Sequence, residues 1–576
     1  MTNPTHVFRP AVQSIGASRW LTAWVVVAVA LLVVSLGGAR DFSHIDEHRY
    51  AEVSRVMAAP GGDWLVPHLN GAVYHDKPPL FFWIAASAQR LGIALPAAAI
   101  LPSQLGAAAA LLAVFGIARR LAGLEAALAS LVLLASGVRF ASFAGRANLD
   151  ALLTGFVAVS LYAYIRGDEA NERTASRGWY AIACLAAGLG VLVKGPLAIA
   201  IPALAIAASR LLEGRARSFV SVWVPAAFAL ALLPVALWLP AAGAHAGSDY
   251  VARIVMRHAV EHSLGLVAHG GAPLDYLRIF PVAFLPGAVL LPAAFATLSW
   301  RRPLARADAF PLAWFCGGIL LLSLFPVKRH HYLMPIYPGA ALFAARLATR
   351  DVGRRLGERR IARVLLAAGR FAIAALGAAL GVALLLAALL SWFGVDPSAV
   401  IQAPSRAAKG AATWQLVVAA SSQTIALGVA LGIASLAGML LAVAPGSRSR
   451  RAAGLAVIAL AATLVQARVI EPILEPGREK RAFLESVAAR IADGAVADYG
   501  GMHFAANWVL RRDVVPLLGD GNSAERFLAE SATRPAFLLA DRANLDRKGI
   551  PAGVHPIVEW PRALAPDLVL LGSQER

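Results

Sequence analysis

The residues best suited to acid–base chemistry lie in one segment near the N-terminus. Asp46, Glu47 and Arg49 fall within four positions, and Asp76 and Lys77 stand directly before two prolines. Carboxylates can take or give a proton, and a lysine can hold a phosphate. Because the two prolines restrict the backbone that follows, Lys77 cannot retreat far. Its structural alternative is a lysine that reaches to lipid headgroups.

Further candidates stand at the edges of apolar stretches. Asp150 opens one stretch, and Lys194 lies between two others. An ionisable residue in such a place is a functional candidate by default. The alternatives are a helix cap for Asp150 and headgroup anchoring for Lys194. Lys328, Arg329 and Tyr332 form a third group, with the same anchoring alternative.

The composition excludes a soluble globular protein. Of the 576 residues, 59% are hydrophobic and 15% charged, whereas soluble chains average about 45–50% and about 25%. The apolar residues form blocks separated by short arginine-rich clusters, which predicts a multi-span α-helical membrane protein. The formal net charge of +19 then indicates cytoplasmic loops and anionic lipid rather than nucleic acid.

About thirteen blocks are predicted to span the membrane. They are residues 20–38, 97–118, 121–139, 149–165, 179–193, 195–211, 218–241, 275–298, 309–325, 332–347, 362–393, 414–444 and 451–468. Counting 79–96 as a further span would place the arginine-rich loops outside, against the positive-inside rule. We therefore predict that 79–96 is re-entrant or interfacial and that the N-terminus is cytoplasmic.

Three segments outside the membrane follow from this topology: residues 39–96, 242–274 and 469–576. The last contains helix patterns at 478–491 and 523–532. Its strand patterns are at 495–499, 535–540, 554–559 and 566–571. Neither the helical nor the strand periodicity continues long enough for a fold of one class. We therefore predict a small C-terminal α/β domain after a transmembrane domain over 1–468.

The first outer segment contains a predicted amphipathic helix at residues 46–58. Its apolar stripe consists of Tyr50, Val53, Val56 and Met57. Such a stripe suits a helix lying on the membrane. In the structural alternative for Asp46, Ser43-x-x-Asp46 is a capping box, and the carboxylate only begins this helix.

The candidates belong to one ordered string of motifs. It consists of Asp46-Glu47-x-Arg49-Tyr50, Gly62-Asp63-Trp64, Tyr74-x-Asp76-Lys77-Pro78-Pro79, Gly145-Arg146-Ala147-Asn148-Leu149-Asp150, Leu192-Val193-Lys194-Gly195-Pro196 and Lys328-x-x-His331-Tyr332-Leu333-x-Pro335. The string resembles the GT-C membrane glycosyltransferases, in particular the 4-amino-4-deoxy-L-arabinose transferases and the bacterial protein O-mannosyltransferase-like proteins. The resemblance covers residues 40–340. After residue 350 only the architecture matches.

This resemblance implies an enzyme that takes a sugar from a polyprenyl-phosphate donor at the outer face of the bacterial inner membrane. Asp46 is then the principal catalytic carboxylate, with Asp150 as the second. The implied donor-phosphate residues are Lys77, Arg49, Lys194, Lys328, Arg329 and Tyr332. The implied substrate-binding residues are Glu47, Tyr50, Tyr74, Arg146, His258 and Glu261.

No cofactor is required by this scheme, and a divalent metal such as zinc is the one option that the resemblance raises. Its ligands would be Asp76 and His262. The relatives usually carry a glutamate where this chain has Asp76 and an arginine where it has Gly265. These departures put both the metal and the aminoarabinose specificity in doubt. Solvated loop histidines are the alternative.

Three functions remain open from the sequence. A lipid-linked-sugar transferase explains the ordered motifs, and a structural membrane partner leaves them unexplained. A transporter or flippase also suits many spans, but it should carry charge near the bilayer midplane. The acceptor is a lipid A-type glycolipid, another envelope glycan or, for a protein O-glycosyltransferase, the serines and threonines of exported proteins.

Overall fold

The computed structural model of the protein describes most of the chain between Phe42 and Gly572. The described residues are 42, 44–215, 223–256, 271–300, 303–392, 421–443, 448–465, 477–501, 503–517, 521–531, 534–559 and 568–572. The predicted span at 20–38 and the candidates His258, Glu261 and His262 lie outside the described residues.

Helices dominate the chain up to residue 465. In order, the elements are α1 (Ile45–Ala58), β1 (His68–Leu69), β2 (Ala72–Val73), α2 (Leu80–Arg90), α3 (Leu95–Ala122), α4 (Leu124–Ala135), α5 (Val138–Ala144), α6 (Leu149–Glu169), α7 (Arg173–Lys194), α8 (Leu197–Leu212), α9 (Trp223–Ala246), α10 (Ser248–Met256), α11 (Asp275–Ala283), α12 (Leu291–Ala296), α13 (Arg306–Leu324), α14 (Tyr337–Ala345), α15 (Arg350–Glu358), α16 (Arg360–Trp392), α17 (Ser421–Val443) and α18 (Arg448–Val465). Short 3-10 helices lie at Gly287–Leu290, His330–Ile336 and Arg346–Ala348.

Within the described residues, six helices are long and apolar enough to cross a membrane, or up to eight if each of two bent pairs is one span. Helix α2 has 11 residues and is therefore about 16 Å long. That is too short for a hydrocarbon core of about 30 Å, in agreement with the prediction that 79–96 does not span. The chain is thus a helical membrane protein.

Two predicted spans are bent. Helices α4 and α5 meet at 69°, and α11 turns by 107° to the helical segment 287–296. Pro281 and Pro286 lie at the second bend, and proline cannot donate the amide hydrogen bond that would continue a helix. The segment predicted as a span over 275–298 is therefore a bent pair of helices.

Helices α3 and α6 cross closely at two glycines. A Cβ atom on Gly106 would lie 2.3 Å from the carbonyl oxygen of Ala151, and one on Gly155 would lie 2.6 Å from that of Gly106. Small residues allow membrane helices to approach in this way. The crossing holds the first turn of α6, which contains Asp150, against α3.

Helix α1 differs from its prediction at both its start and its surface. His44 is the N-cap: its side chain accepts from the Asp46 amide at 3.4 Å, and Glu47 Oε2 accepts from the His44 amide at 3.2 Å. The capping box therefore does not use Asp46. Polar residues of the helix, including Glu52 and Ser54, are buried. Protein therefore covers part of the polar face of α1, and the position of the helix on the membrane stays a prediction.

Residues 477–572 fold around a sheet. The elements are α19 (Gly477–Ile491), β3 (Ala495–Tyr499), α20 (Ala505–Val509), β4 (Val515–Leu517), α21 (Gly521–Glu530), β5 (Ala536–Asp541), α22 (Arg542–Lys548), β6 (His555–Glu559) and β7 (Leu568–Gly572). The strand order is β4-β3-β5-β7-β6, with β3 parallel to β4 and β5, and β7 antiparallel to β5 and β6. Four strands lie within two residues of the predicted ones, whereas β4 was not predicted.

Candidate functional site

Arg49 is the centre of the first group of candidate residues. Helical spacing places it beside Asp46, one turn earlier, and its Nη2 atom pairs with Asp46 Oδ1. Its Nη1 atom lies 3.5 Å from Asp76 Oδ2. The guanidinium carbon is 5.6 Å from the ring centre of Tyr50 and 5.9 Å from that of Tyr74. Two carboxylates and two aromatic rings therefore surround one guanidinium.

Asp150 is the centre of the second group. The cap of α6 is Asn148, whose Oδ1 accepts from the amides of Asp150 at 2.9 Å and Ala151 at 3.3 Å. The capping alternative for Asp150 is therefore wrong. Its buried Oδ2 lies 2.5 Å from Lys194 Nζ and 3.9 Å from His331 Nε2.

Aromatic rings position the second group. Lys194 is the last residue of α7, and its Nζ lies 4.2 Å from the ring centre of Tyr332. The ring of His331 packs edge-on against Phe143 at 5.8 Å and Tyr332 at 4.9 Å. His331 was not among the predicted site residues, although it lies inside the Lys328-x-x-His331-Tyr332 motif that could have indicated it.

Lys77 lies between the two groups, on the loop before α2. Its side chain is half-buried, and among the described residues it has no hydrogen-bond or ion-pair partner. The pKa of Lys77 is lowered to about 8, chiefly by burial and also by the charges of Lys194 and Arg49, while Asp76 and Asp150 oppose this shift. At neutral pH this lysine is an ammonium that lacks an anion. We call the following residues the site cluster: Asp46, Arg49, Asp76, Lys77, Asp150 and Lys194.

Glu47 connects two elements of the site. Its Oε1 accepts from the Ala147 amide at 3.1 Å, and its other oxygen accepts from the His44 amide. Only 2% of the residue is exposed. Glu47 thus joins α1 to the loop before α6, where the half-buried Arg146 also lies, and we leave Glu47 out of the substrate-binding set.

Lys328 makes contacts that sequence reasoning did not anticipate. Its Nζ donates to the carbonyl oxygens of Leu322 at 3.2 Å and Ser323 at 2.8 Å, and to that of Phe325. These are carbonyls at the C-terminal end of α13, which has no further turn to satisfy them. All three ammonium donors have acceptors, so Lys328 caps a helix. Arg329 is exposed beside it.

The far end of α6 carries a different charge cluster. Asp168 lies 2.8 Å from Arg210, 3.1 Å from Arg215 and 2.9 Å from Arg306. Asp150 and Asp168 are separated by about 27 Å along the helix, close to the thickness of a bilayer core. The arginine-rich loops therefore meet at the end of the molecule opposite to the site cluster.

The described residues contain no group of three or more histidine, cysteine or acidic side chains arranged to hold a metal. One predicted ligand, His262, lies outside them. The other, Asp76, faces the guanidinium of Arg49 at 3.5 Å. A cation bound there would have to displace that positive charge, so the observed surroundings of Asp76 do not fit a metal site.

Sequence comparisons relate the chain to known transferases. Residues 76–240 match the family described as dolichyl-phosphate-mannose-protein mannosyltransferase. The undecaprenyl phosphate-alpha-4-amino-4-deoxy-L-arabinose arabinosyl transferase of Edwardsiella ictaluri is 29% identical over 58% of this chain and 60% of its own length. The corresponding transferase 1 of Sodalis glossinidius is 26% identical over 88% of this chain and 86% of its own. That of Pseudomonas aeruginosa PAO1 is 32% identical over 53% and 55%.

Structural comparison defines the class of protein. The crystal structure of ArnT from Cupriavidus metallidurans bound to undecaprenyl phosphate superimposes with a TM-score of 0.72 at 19% identity, covering 97% of this chain and 99% of that one. The chain therefore has the GT-C fold of helical membrane proteins. Its sequence is similar to those of the 4-amino-4-deoxy-L-arabinose transferases named above, so the resemblance found in the motif string is confirmed.

Proposed function

We propose that the protein is an integral membrane glycosyltransferase that moves a sugar from a polyprenyl-phosphate donor to an envelope acceptor. The acceptor is a lipid A-type glycolipid or another envelope glycan. The observation that carries the proposal is the partnerless ammonium of Lys77 between two acid–base pairs, Asp46–Arg49 and Asp150–Lys194. The relatives are named as undecaprenyl-phosphate sugar transferases, and one protein of the same fold was solved with undecaprenyl phosphate.

The chemistry follows from this charge arrangement. An acceptor oxygen attacks the anomeric carbon of the sugar, its proton passes to Asp46, and the bond from that carbon to the phosphate oxygen breaks. The phosphate leaves with the bonding electrons and gains negative charge. Lys77 stabilises this charge, with Lys194 and Arg49 beside it. The second carboxylate, Asp150, faces the positive charge that develops on the sugar ring.

The remaining predicted residues lie beside the charged groups of the site cluster or belong to the proposal from the sequence alone. Tyr332 holds Lys194 against its ring, and Tyr50 and Tyr74 flank Arg49. Tyr50, Tyr74 and Arg146 are the proposed substrate contacts. His258 and Glu261 belong to the same proposal from the sequence alone. Arg329 is a peripheral phosphate contact. No step of the mechanism is assigned to a metal, since Asp76 faces Arg49.

The proposed orientation places the site cluster at the periplasmic face of the inner membrane. Its support is that the arginines around Asp168 meet at the other end of α6, where the positive-inside rule expects the cytoplasm. In this proposal the N-terminus is cytoplasmic, residues 1–468 form the catalytic transmembrane domain with about thirteen spans, and 469–576 form a periplasmic domain. A reporter active only outside the cytoplasm should work when fused after residue 470, and a silent reporter there would reverse the orientation.

Protein O-glycosylation is the second candidate. The match of residues 76–240 to a protein mannosyltransferase family favours it. A transporter is disfavoured, because the charges at the start and end of α6 lie at opposite ends of one span rather than at its middle.

A deletion strain tests the proposed transfer. Mass spectrometry of its lipid A, envelope glycans and exported proteins should show one class that has lost a sugar. Wild-type protein should restore that sugar, and Asp46→Asn should not. The modified class then decides between glycolipid, glycan and protein acceptors. Equal restoration by Asp46→Asn would remove the proposed chemistry, and loss of a transported solute without any change in these products would favour the transporter.

A further inference from the structure

Helix α20 connects the C-terminal sheet to the helix that carries Asp46. Ala505 and Ala506 are buried in the core between the sheet and α19. Trp508, two residues later, packs instead against the core around the site cluster. One short helix therefore has one side fixed in the C-terminal region and one side chain inserted into the membrane region.

Trp508 is held on several sides. Its Nε1–H donates to His48 Nδ1 at 3.1 Å, and the two rings stack with an interplanar angle of 17°. Phe42 meets it edge-on at 5.8 Å. The guanidinium of Arg481, on α19, lies 5.3 Å from its ring centre. In addition, Asn507 donates to the side-chain oxygen of Asn70.

These contacts reach the face of α1 that is turned away from the site. Two residues along an α-helix differ by about 200°, so His48 points away from Asp46. Arg49 pairs with Asp46 on the site side. Glu52 and Arg55 lie on the same face as His48. Glu52 is fully buried, and its carboxylate accepts two hydrogen bonds from Arg55 at 2.7–2.8 Å.

From this geometry we infer that the C-terminal region positions the catalytic helix through Trp508 and His48. Both are positioning residues, because they act on the side of α1 opposite to Asp46, through the backbone of the helix. The inference rests on the proposed function only in taking Asp46 as the catalytic carboxylate. Because reacting groups must be held closely, a displacement of about 1 Å can cost about 100-fold in rate.

The experiment uses the full-length protein in lipid nanodiscs. Trp508→Ala should lower kcat about 10- to 100-fold and raise the donor KM by a smaller factor, since α1 carries Arg49 but Lys77 and Lys194 lie on other segments. Trp508→Phe, which keeps a ring but loses the N–H donor, should recover part of kcat. His48→Ala should resemble Trp508→Ala, and the double variant should be no slower than the slower single variant, because both remove one contact.

Two controls separate positioning from general damage. Trp300→Ala removes a tryptophan that is 68% exposed and should change nothing. Leu545→Ala opens the core on the other face of the sheet, so it should lower the unfolding temperature of the C-terminal region with little effect on kcat. If Leu545→Ala slows turnover as much as Trp508→Ala, the effect is one of folding and the inference is overturned.

Hydrogen–deuterium exchange supplies a readout independent of turnover. Trp508→Ala should increase exchange of the amides in residues 46–56 while α6 stays protected. If exchange and kcat are both unchanged in Trp508→Ala and in His48→Ala, while Asp46→Asn abolishes transfer, the positioning role fails and the proposed function stands. If Asp46→Asn retains full transfer, the catalytic assignment fails instead, and the exchange data still decide whether Trp508 holds α1.

Discussion

The two ends of α6 carry charged clusters of opposite character. At one end, Asp168 is surrounded by Arg210, Arg215 and Arg306 within 3.1 Å. At the other end, Asp150 has Lys194 at 2.5 Å, and the nearby Lys77 has no partner among the described residues. In the first cluster each arginine is in direct contact with the carboxylate. In the second, a half-buried cation contacts no carboxylate among the described residues, which is the state expected of a phosphate site.

A second saturated cluster strengthens this contrast. Asp308 lies 2.7 Å from Arg346 and 2.8 Å from Arg355, and Arg346 also donates to the Ala294 carbonyl at 2.8 Å. Ion pairs of this kind hold elements of the fold together. The comparison teaches that an intramembrane charge indicates function only when its partners leave it incomplete.

The largest difference is expected between an Asp→Asn substitution in the site cluster and one in the cluster around Asp168. Asp46→Asn should lower kcat about 10²–10⁴-fold, the usual range for loss of a general base, with the unfolding temperature nearly unchanged. Asp168→Asn should do the reverse, because it removes a charge shared by three arginines and touches no reacting atom. Turnover and thermal unfolding of both purified variants check this.

Asp150→Asn sharpens the same comparison. If the two carboxylates act as a unit, the double variant Asp46→Asn/Asp150→Asn should lose much less rate than the product of the two single losses. Near-normal turnover in Asp46→Asn would contradict the assignment of catalysis to the site cluster.

The next effect concerns Lys77. Lys77→Ala should lower kcat about 10²–10³-fold, the usual loss when a stabilising donor is removed, and raise the donor KM. Because the pKa of Lys77 is lowered from 10.5 to about 8, its ammonium is present below pH 8 and lost as the pH rises through that value. The kcat/KM for the donor should therefore fall above pH 8, and it should do so before ordinary lysines titrate.

Lys77→Arg is the matched variant for this pH dependence. A guanidinium stays protonated throughout the range, so the decline above pH 8 should disappear, while the planar fork should keep activity below wild type at pH 7. A wild-type decline that persists in Lys77→Arg would assign the titration to another group. A lysine that only reaches to headgroups predicts unchanged kinetics for both variants.

Local patterns predicted the helices of the site and most of its residues. Asp150 and Lys194 were predicted from their positions at the edges of apolar stretches, and Asp46 and Lys77 from the motif string in the first outer segment. The structure brings the four residues together. The features that the sequence did not predict depend on contacts between residues far apart in the chain. The burial of the polar face of α1 is due in part to Trp508, 460 positions from His48, and no local periodicity records such a contact.

Glu47 shows the same limit of local patterns. Glu47 has the charge and place of a substrate ligand, yet its oxygens accept from two backbone amides. The bend between α11 and α12 had a local signal in its prolines, which a count of apolar residues does not use.

A substitution of Asp308 tests whether its cluster contributes to stability rather than to activity. Asp308→Leu should leave Arg346, which is 2% exposed, without its carboxylate. Removing one partner of a buried ion pair typically costs about 3–5 kcal/mol, so the unfolding temperature should fall markedly. The kcat and donor KM of the fraction that remains folded should match wild type. A specific loss of donor affinity would show that this cluster is not merely structural.

The smallest effect is expected from a substitution of Lys328, which distinguishes two roles for this lysine. The motif string makes it a phosphate ligand, whereas its ammonium donates to three carbonyls at the end of α13. Lys328→Met keeps the apolar stem and removes the charge. As a helix cap, the residue should contribute about 1 kcal/mol, through satisfied carbonyls and the favourable cation at a helix C-terminus. We therefore expect a small fall in unfolding temperature and a donor KM within about twofold of wild type, against the large change for Lys77→Ala in the same assay. A tenfold rise in donor KM at unchanged unfolding temperature would return Lys328 to the phosphate site, and it would mean that its carbonyl contacts are exchanged for the donor phosphate when the donor binds.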